Sequence, residues 1–353
     1  LRAIGLRTWQ WNNAVRTVAL LAGFPVLLVV LAFAVTALFV ADSAPTFMIG
    51  VRRSLAALPG TALAAGVISA VWFAIAWFAH QRIIDLVTGA KPTTRAAEPR
   101  VWNLLENLCI SRGQPMPSLR IIETPALNAF ASGLVRERYA VTVTRGLVDA
   151  LDDAELEAVL AHELTHILNG DARLAVVAAV FAGILSLIPE MVVRATRFGR
   201  IGRVRRSSPS SSSSSSSRRG GGGGLVIVAV VLILLVWALA LALRFALSRN
   251  REYLADAGAV ELTKDADALI RALRKIEGRS DLPAVPDQVR AMFLDDQKNA
   301  RGGRLWATHP PIAARIEALV RHAGGRDPGP IAALPPPADA PTVVPATARG
   351  PWA

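Results

Sequence analysis

Apolar positions along the chain form four long runs, and between the second and third runs they give way to shorter periodic patterns. A helix needs roughly 20 mostly apolar residues to cross a bilayer. Val15 to Val40 meets that length with Arg16 as its one charge, and Thr61 to Ala79 and Leu225 to Leu243 meet it with none. Leu174 to Val193 is long enough but holds Pro189 and Glu190, which makes it a weaker span. A signal peptide has an apolar stretch of only about 7–15 residues, so the first run reads as an uncleaved anchor.

The middle region has globular character. Val101 to Ser111 repeats apolar residues at helical spacing and stops at Arg112-Gly113. Leu119 to Glu123, Asn128 to Val135 and Tyr139 to Thr144 read as short strands. Asp152 with Glu155 three residues later makes a capping box, and Leu156, Val159, Leu160, Leu164 and Ile167 form an apolar stripe. Asn169-Gly170 is its natural stop. The fold class predicted is mainly α with a small β-sheet (α+β), anchored in a membrane.

Charge orients this layout. The 353 residues carry a net charge of +12, and most of the arginine excess lies beside apolar runs or in a low-complexity tract. That pattern points to topology signals and anionic lipid headgroups, not to nucleic acid. Arg2, Arg7 and Arg16 precede or open the first run, and Arg82, Lys91, Arg95 and Arg100 follow the second, so both flanks are expected on the cytoplasmic side. The stretch from Arg194 to Gly224 opposes this rule. It holds Arg194, Arg197, Arg200, Arg203, Arg205, Arg206, Arg218 and Arg219 with no acid, and such a loop resists translocation. Either the hairpin crosses against the rule or it lies in the inner interface; a complete crossing is the expectation, because the fourth run is so uniformly apolar. The single cysteine, Cys109, excludes an internal disulfide and any cysteine-based zinc cluster.

Candidate chemistry lies on the capped helix. His162-Glu163-Leu164-Thr165-His166 sets two imidazoles one turn apart on one face, the spacing at which both can bind one tetrahedral zinc. Glu163, rotated by about 100°, is placed to act on an attacking water. A third ligand is expected from Glu252 in Arg251-Glu252-Tyr253-Leu254-Ala255-Asp256, directly after the fourth run. Asp256, a turn on, would accept the free N–H of a ligating histidine. Ala255, Ala257, Gly258 and Ala259 would let this helix approach the first closely. In isolation Glu252 also reads as a surface acid paired with Arg249 or Arg251, Arg315 as either a substrate-carboxylate contact or an ion-pair partner, and Asp171 as an ion-pair or cap partner near the site.

The combination HELTHILNGD, a hydrophobic hairpin and REYLAD resembles the HtpX-type membrane zinc endopeptidases, relatives of the prenyl-protein-processing proteases. The likeness extends across most of residues 1–322. It implies a zincin-like fold with one Zn2+ held by His162, His166 and Glu252. It also implies that Asn128, Ala129, Phe130 and Ala131 bind substrate backbone along an edge strand, and that His309, before Pro310-Pro311, stabilises the oxyanion. The implied protein is a multi-pass enzyme of the bacterial inner membrane with its catalytic domain in the cytoplasm, cutting membrane or misfolded proteins in quality control and stress response. An inactive scaffold that keeps the fold is the alternative. The expected divisions are a two-helix anchor (1–80), two parts of a catalytic domain (81–173 and 248–322), a hydrophobic hairpin (174–247) and a Pro/Ala-rich tail without fixed structure (323–353).

Overall fold

The computed structural model describes residues 6–41, 43–180, 222–245, 250–282, 285, 287–290, 292–295 and 309–330. The Arg/Ser/Gly tract up to residue 221, the second half of the third apolar run and the tail beyond residue 330 lie outside the described residues. Two long helices, α1 (Leu6–Ala41) and α3 (Leu58–Thr88), contain the first two runs and are long and apolar enough to cross a membrane. The fourth run forms α8 (Gly222–Phe245). Leu63, Phe78, Val231 and Leu235 stand exposed on these helices, as side chains facing lipid would.

The loop expected between the first two runs contains a short helix, α2 (Phe47–Ala56), capped by Thr46. The paired arginines Arg52 and Arg53 interrupt its hydropathy, so its apolar face is too short to show as a run. α2 marks the far end of the bundle. Gly50 lies against Leu225 at the start of α8, and Ala34, Ala37 and Ala41 of α1 pack with Leu225 and Ala229. α8 therefore starts at the far end and runs back antiparallel to α1.

A four-stranded mixed sheet comes next, in the order β1 (Lys91–Pro92), β2 (Ser118–Ile122), β4 (Ala140–Thr144), β3 (Ala129–Ser132). β2 and β4 are parallel, with Leu119 beside Val141, while β3 is the antiparallel edge, with Ala129 beside Val143. The three predicted strands are present, the first moved by one residue and the other two shorter, and β1 is an addition too brief to show a period. Strand alternation separates two cores. Leu119, Ile121, Ala129, Val141 and Val143 face one side of the sheet, whereas Ile122 and Phe130 join Leu20 and Phe24 of α1 on the other.

On the side of the sheet turned from α1, α4 (Pro99–Ser111), α5 (Arg145–Ala150), α6 (Asp153–Leu168), α9 (Asn250–Thr263), α10 (Ala266–Ile276) and α12 (Ile312–Ala323) share one core. A single turn, α11 (Asp287–Arg290), precedes the last of these. α6 is central. Its capping box is complete: Asp152 Oδ1 accepts from Glu155 N at 2.9 Å, and Glu155 Oε2 accepts from Asp152 N at 3.0 Å. Lys275 of α10 then neutralises Glu155 at 2.5 Å. The stripe predicted for one face is wider in the fold, because the sheet and α4 cover one side and α9 and α10 the other. Ala158 and Ala161 are thus as buried as Leu156 and Leu160, each leucine contributing about 1.5–3 kcal/mol of burial.

Gly170 ends α6 at φ +74°, and the chain turns at once into α7 (residues 171–180). Leu174 to Ala178 of this helix are buried against the sheet side of α1, so the described start of the third run faces protein. The expected structureless tail is corrected at its start. Ala323 closes α12, and Asp327 is held by Arg274 of α10 at 2.5 and 3.0 Å while Arg326 N donates to Asp267 at 2.7 Å.

Candidate metal centre

α6 presents His162 and His166 to α9, and α9 carries Glu252 in its first turn. A glycine makes the approach possible. A Cβ on Gly258 would stand 2.4 Å from Thr165 Cγ2, so any larger residue would push α9 away, and Ala255 and Ala259 are fully buried nearby. Ala257, also expected in that seam, points to solvent.

The three side chains converge. His162 Nε2 and His166 Nε2 are 3.1 Å apart, and Glu252 Oε2 lies 3.5 Å from the first and 3.8 Å from the second. Ligands at roughly 2.0–2.1 Å from one tetrahedral ion stand about 3.3 Å from each other, so the triangle has the size that a zinc ion spans.

Hydrogen placement strengthens the fit. His162 Nδ1 faces Asp256 Oδ1 at 3.0 Å, and His166 Nδ1 faces Asp171 Oδ2 at 3.0 Å. A carboxylate only accepts, so each Nδ1 carries the hydrogen and each Nε2 a lone pair. Two nitrogen lone pairs and a carboxylate oxygen thus face one another in a buried site, where Glu252 Oε2 has no hydrogen-bond partner among the described residues. Such a cluster repels itself unless a proton or a cation lies between its members, and a divalent metal satisfies all three at once.

Protons compete for the same position. Burial disfavours the His166 imidazolium, but Glu252 and Asp171 outweigh it and raise the group to about 10. Burial also opposes ionisation of Glu252 and Asp256, yet His309 and His166 hold the first well below the usual carboxylate range, and Arg315 holds the second low. Glu163 goes the other way. Burial raises it more than His162 and His166 lower it, and its Oε2 has no partner among the described residues. It lines, with His166, Glu252, Arg251 and Met292, a cavity of about 10 Å³, room on the order of one water.

Asp256 stands behind His162. The other residues singled out in the sequence differ in their surroundings. His309 lies with Nδ1 3.2 Å from Glu252 Oε1, and neither ring nitrogen has a hydrogen bond among the described residues. Arg315 is no substrate contact in this geometry. It is 1% exposed, donates to Asp256 at 2.9 and 2.5 Å, and gives Nη1 to Leu294 O at 3.1 Å, so the ion-pair role is the one its surroundings fill. Asn128 is likewise committed to the fold: its Nδ2 donates to Ser280 O and Asp295 O, and its Oδ1 accepts from Ala129 N and Leu294 N. Phe130 turns from the site and stacks on Phe293 at 5.1 Å. Of the edge strand, Ala131 reaches the cavity, while Ala129 O is taken by Leu294 N at 2.9 Å.

Of three further groups assembled here, Asp171 and Arg251 read in the sequence only as ion-pair or cap partners, and Asn13 is not singled out there. Asp171 does for His166 what Asp256 does for His162; its signal was an acid just past the helix stop. Arg251 Nε donates to Glu252 Oε1 at 3.0 Å, so the pairing that would make Glu252 a surface acid is present inside the site, with Glu252 0% exposed. Asn13 of α1 donates to Asp171 Oδ1 at 2.7 Å, a contact 158 residues apart in the chain.

A family model described as Peptidase family M48 matches residues 95–323. A "Protease HtpX homolog" of Bacteroides fragilis is 37% identical over 333 residues, covering 90% of this chain and 99% of that protein. Another of the same description, from Listeria monocytogenes, is 40% identical over 268 residues, covering 74% of this chain and 86% of its own. The crystal structure of S. mikatae Ste24p aligns with a TM-score of 0.39 at 20% identity, covering 72% of this chain and 57% of that one.

Proposed function

The chain belongs to peptidase family M48 and is a membrane-bound metalloprotease, and from that premise we propose a zinc-dependent endopeptidase whose ion is held by His162, His166 and Glu252. The observation that carries this reading is the buried triangle of two imidazole lone pairs and one carboxylate oxygen that has no hydrogen bond among the described residues. Zinc held by such a set supplies a Lewis acid and brings the pKa of water towards neutrality.

The chain's own residues do the rest. Glu163, whose affinity for a proton is raised by burial, takes the proton of the attacking water and returns it to the leaving amine. His309, whose Nε2 has no hydrogen bond among the described residues, donates to the developing oxyanion. A substrate peptide adds as a strand along Ala129 to Ala131, which requires Leu294 to leave Ala129 O. Asn128 and Arg315 position that edge and Asp256.

The shared core of residues 101–164 and 259–319 supports reading 81–173 and 248–322 as two parts of one catalytic unit, interrupted by the hairpin 174–247. Membrane or misfolded proteins are the proposed substrates, since α1 and α3 bring exposed apolar surface to the unit. Basic residues that flank α1 and α3 at the catalytic end support a cytoplasmic site, in the inner membrane of a bacterium. The start of α8 at the far end supports a hairpin that crosses twice. No observation supports the inactive scaffold. Glu163→Gln is expected to keep its zinc and to cut an unfolded protein at least about 100-fold more slowly than the wild type. Undiminished cleavage by that variant would remove Glu163 from the reaction.

A further inference from the structure

The first membrane helix is longer than a membrane requires. Its 36 residues, at about 1.5 Å each, extend about 54 Å against a hydrocarbon core of about 30 Å. The excess at its N-terminal end docks on the turn between α6 and α7. Gln10 Nε2 donates to Leu168 O at 3.0 Å, and Asn13 Nδ2 donates to Asn169 O at 3.1 Å and to Asp171 Oδ1 at 2.7 Å. Asn13 is 2% exposed. The other oxygen of Asp171 faces His166 Nδ1 at 3.0 Å.

The contacts to Leu168 and Asn169 carbonyls are what helix docking alone would need. The contact to Asp171 is different, because it fixes the rotation of the carboxylate that orients a ligating imidazole. Resting on the zinc reading above, we propose that Asn13 is a positioning residue for the metal: it pins one oxygen of Asp171 so that the other holds His166 in the tautomer and orientation that bind the ion. A residue of the first membrane helix thereby tunes the affinity of a site built on α6 and α9. Groups behind metal-binding histidines typically change affinity 10–100-fold when removed. Asn13 acts one step further out, so the lower figure applies.

The test uses the full chain in detergent and reads two quantities, the zinc dissociation constant by chelator competition and the d–d absorption of the Co2+-loaded protein. Asn13→Ala is expected to weaken zinc about 10-fold and to shift the cobalt spectrum. Gln10→Ala, which loses a neighbouring bond of α1 to the same turn, is expected to change neither. In the Asn13→Ala/Asp171→Ala double variant the metal should bind no more weakly than with Asp171→Ala alone, since the first residue acts through the second. Asn13→Thr, whose hydroxyl bonds within its own helix as that of Thr17 does, replaces the alanine variant if that one fails to fold. An unchanged spectrum and affinity in the Asn13 variants, an equal shift in Gln10→Ala, or additive losses in the double variant would each overturn the inference while leaving the zinc reading intact. A wild type that binds neither ion overturns both.

Discussion

The two histidines of the candidate site are supported in unlike ways. His162 leans on Asp256, a carboxylate locked in an ion pair with Arg315 deep in the catalytic core, where both are at most 2% exposed. His166 leans on Asp171, which receives a neutral amide from Asn13 of the first membrane helix and lies beside the small cavity. One support includes the Asp256–Arg315 ion pair and belongs to the packing of α6, α9 and α12; the other includes the Asn13 amide and joins α6 to the first long helix. On the zinc reading, the first would tie metal binding to the stability of the core and the second would tie it to the placement of α1.

Substitutions can break this contrast. Arg315→Ala leaves Asp256 buried without its cation and is expected to cost about 3–5 kcal/mol, seen as a large fall in melting temperature in detergent. Asp171→Asn is expected to weaken zinc about 10–100-fold by chelator competition with little change in melting of the metal-stripped protein. If the two variants lost stability equally, the supports would be of one kind. Gly258→Ala pushes α9 off Thr165, and because the clash falls on a side chain its cost is expected near about 1 kcal/mol, with weaker zinc binding as Glu252 withdraws. Cys109 sharpens the comparison with the smallest signal. Burial, aided by Glu106, pushes its thiol up to about 11, so at pH 8 about a thousandth is thiolate and alkylation is slow. Arg315→Ala should speed that labelling by opening the core, whereas Asp171→Asn should not.

Much of the support behind His162 was legible in the sequence, and little of that behind His166. The capping box at Asp152 and Glu155, the i, i+4 histidines and the Glu252/Asp256 pair are local patterns, and local patterns carry their geometry with them. Small residues at 255–259 foretold the close approach of α9 to α6. The link from Asn13 to Asp171 depends instead on how a membrane helix packs on a catalytic unit 158 residues away, and an asparagine near the end of an apolar run reads as an interfacial residue. The sequence leaves Arg315 between two roles, and the resemblance assigns Asn128 to substrate, for a related reason. Their side chains can recognise a substrate or hold the fold, and only burial, with each side-chain nitrogen donating to Asp256, Leu294, Ser280 or Asp295, decides between the two.

The central claim is that a carboxylate from α9 completes a site begun by two histidines of α6. Zinc per chain, measured on Glu252→Ala beside the wild type after purification in detergent, tests it most directly. The account predicts one zinc in the wild type and almost none in the variant; a variant that holds one zinc as tightly as the wild type would contradict it.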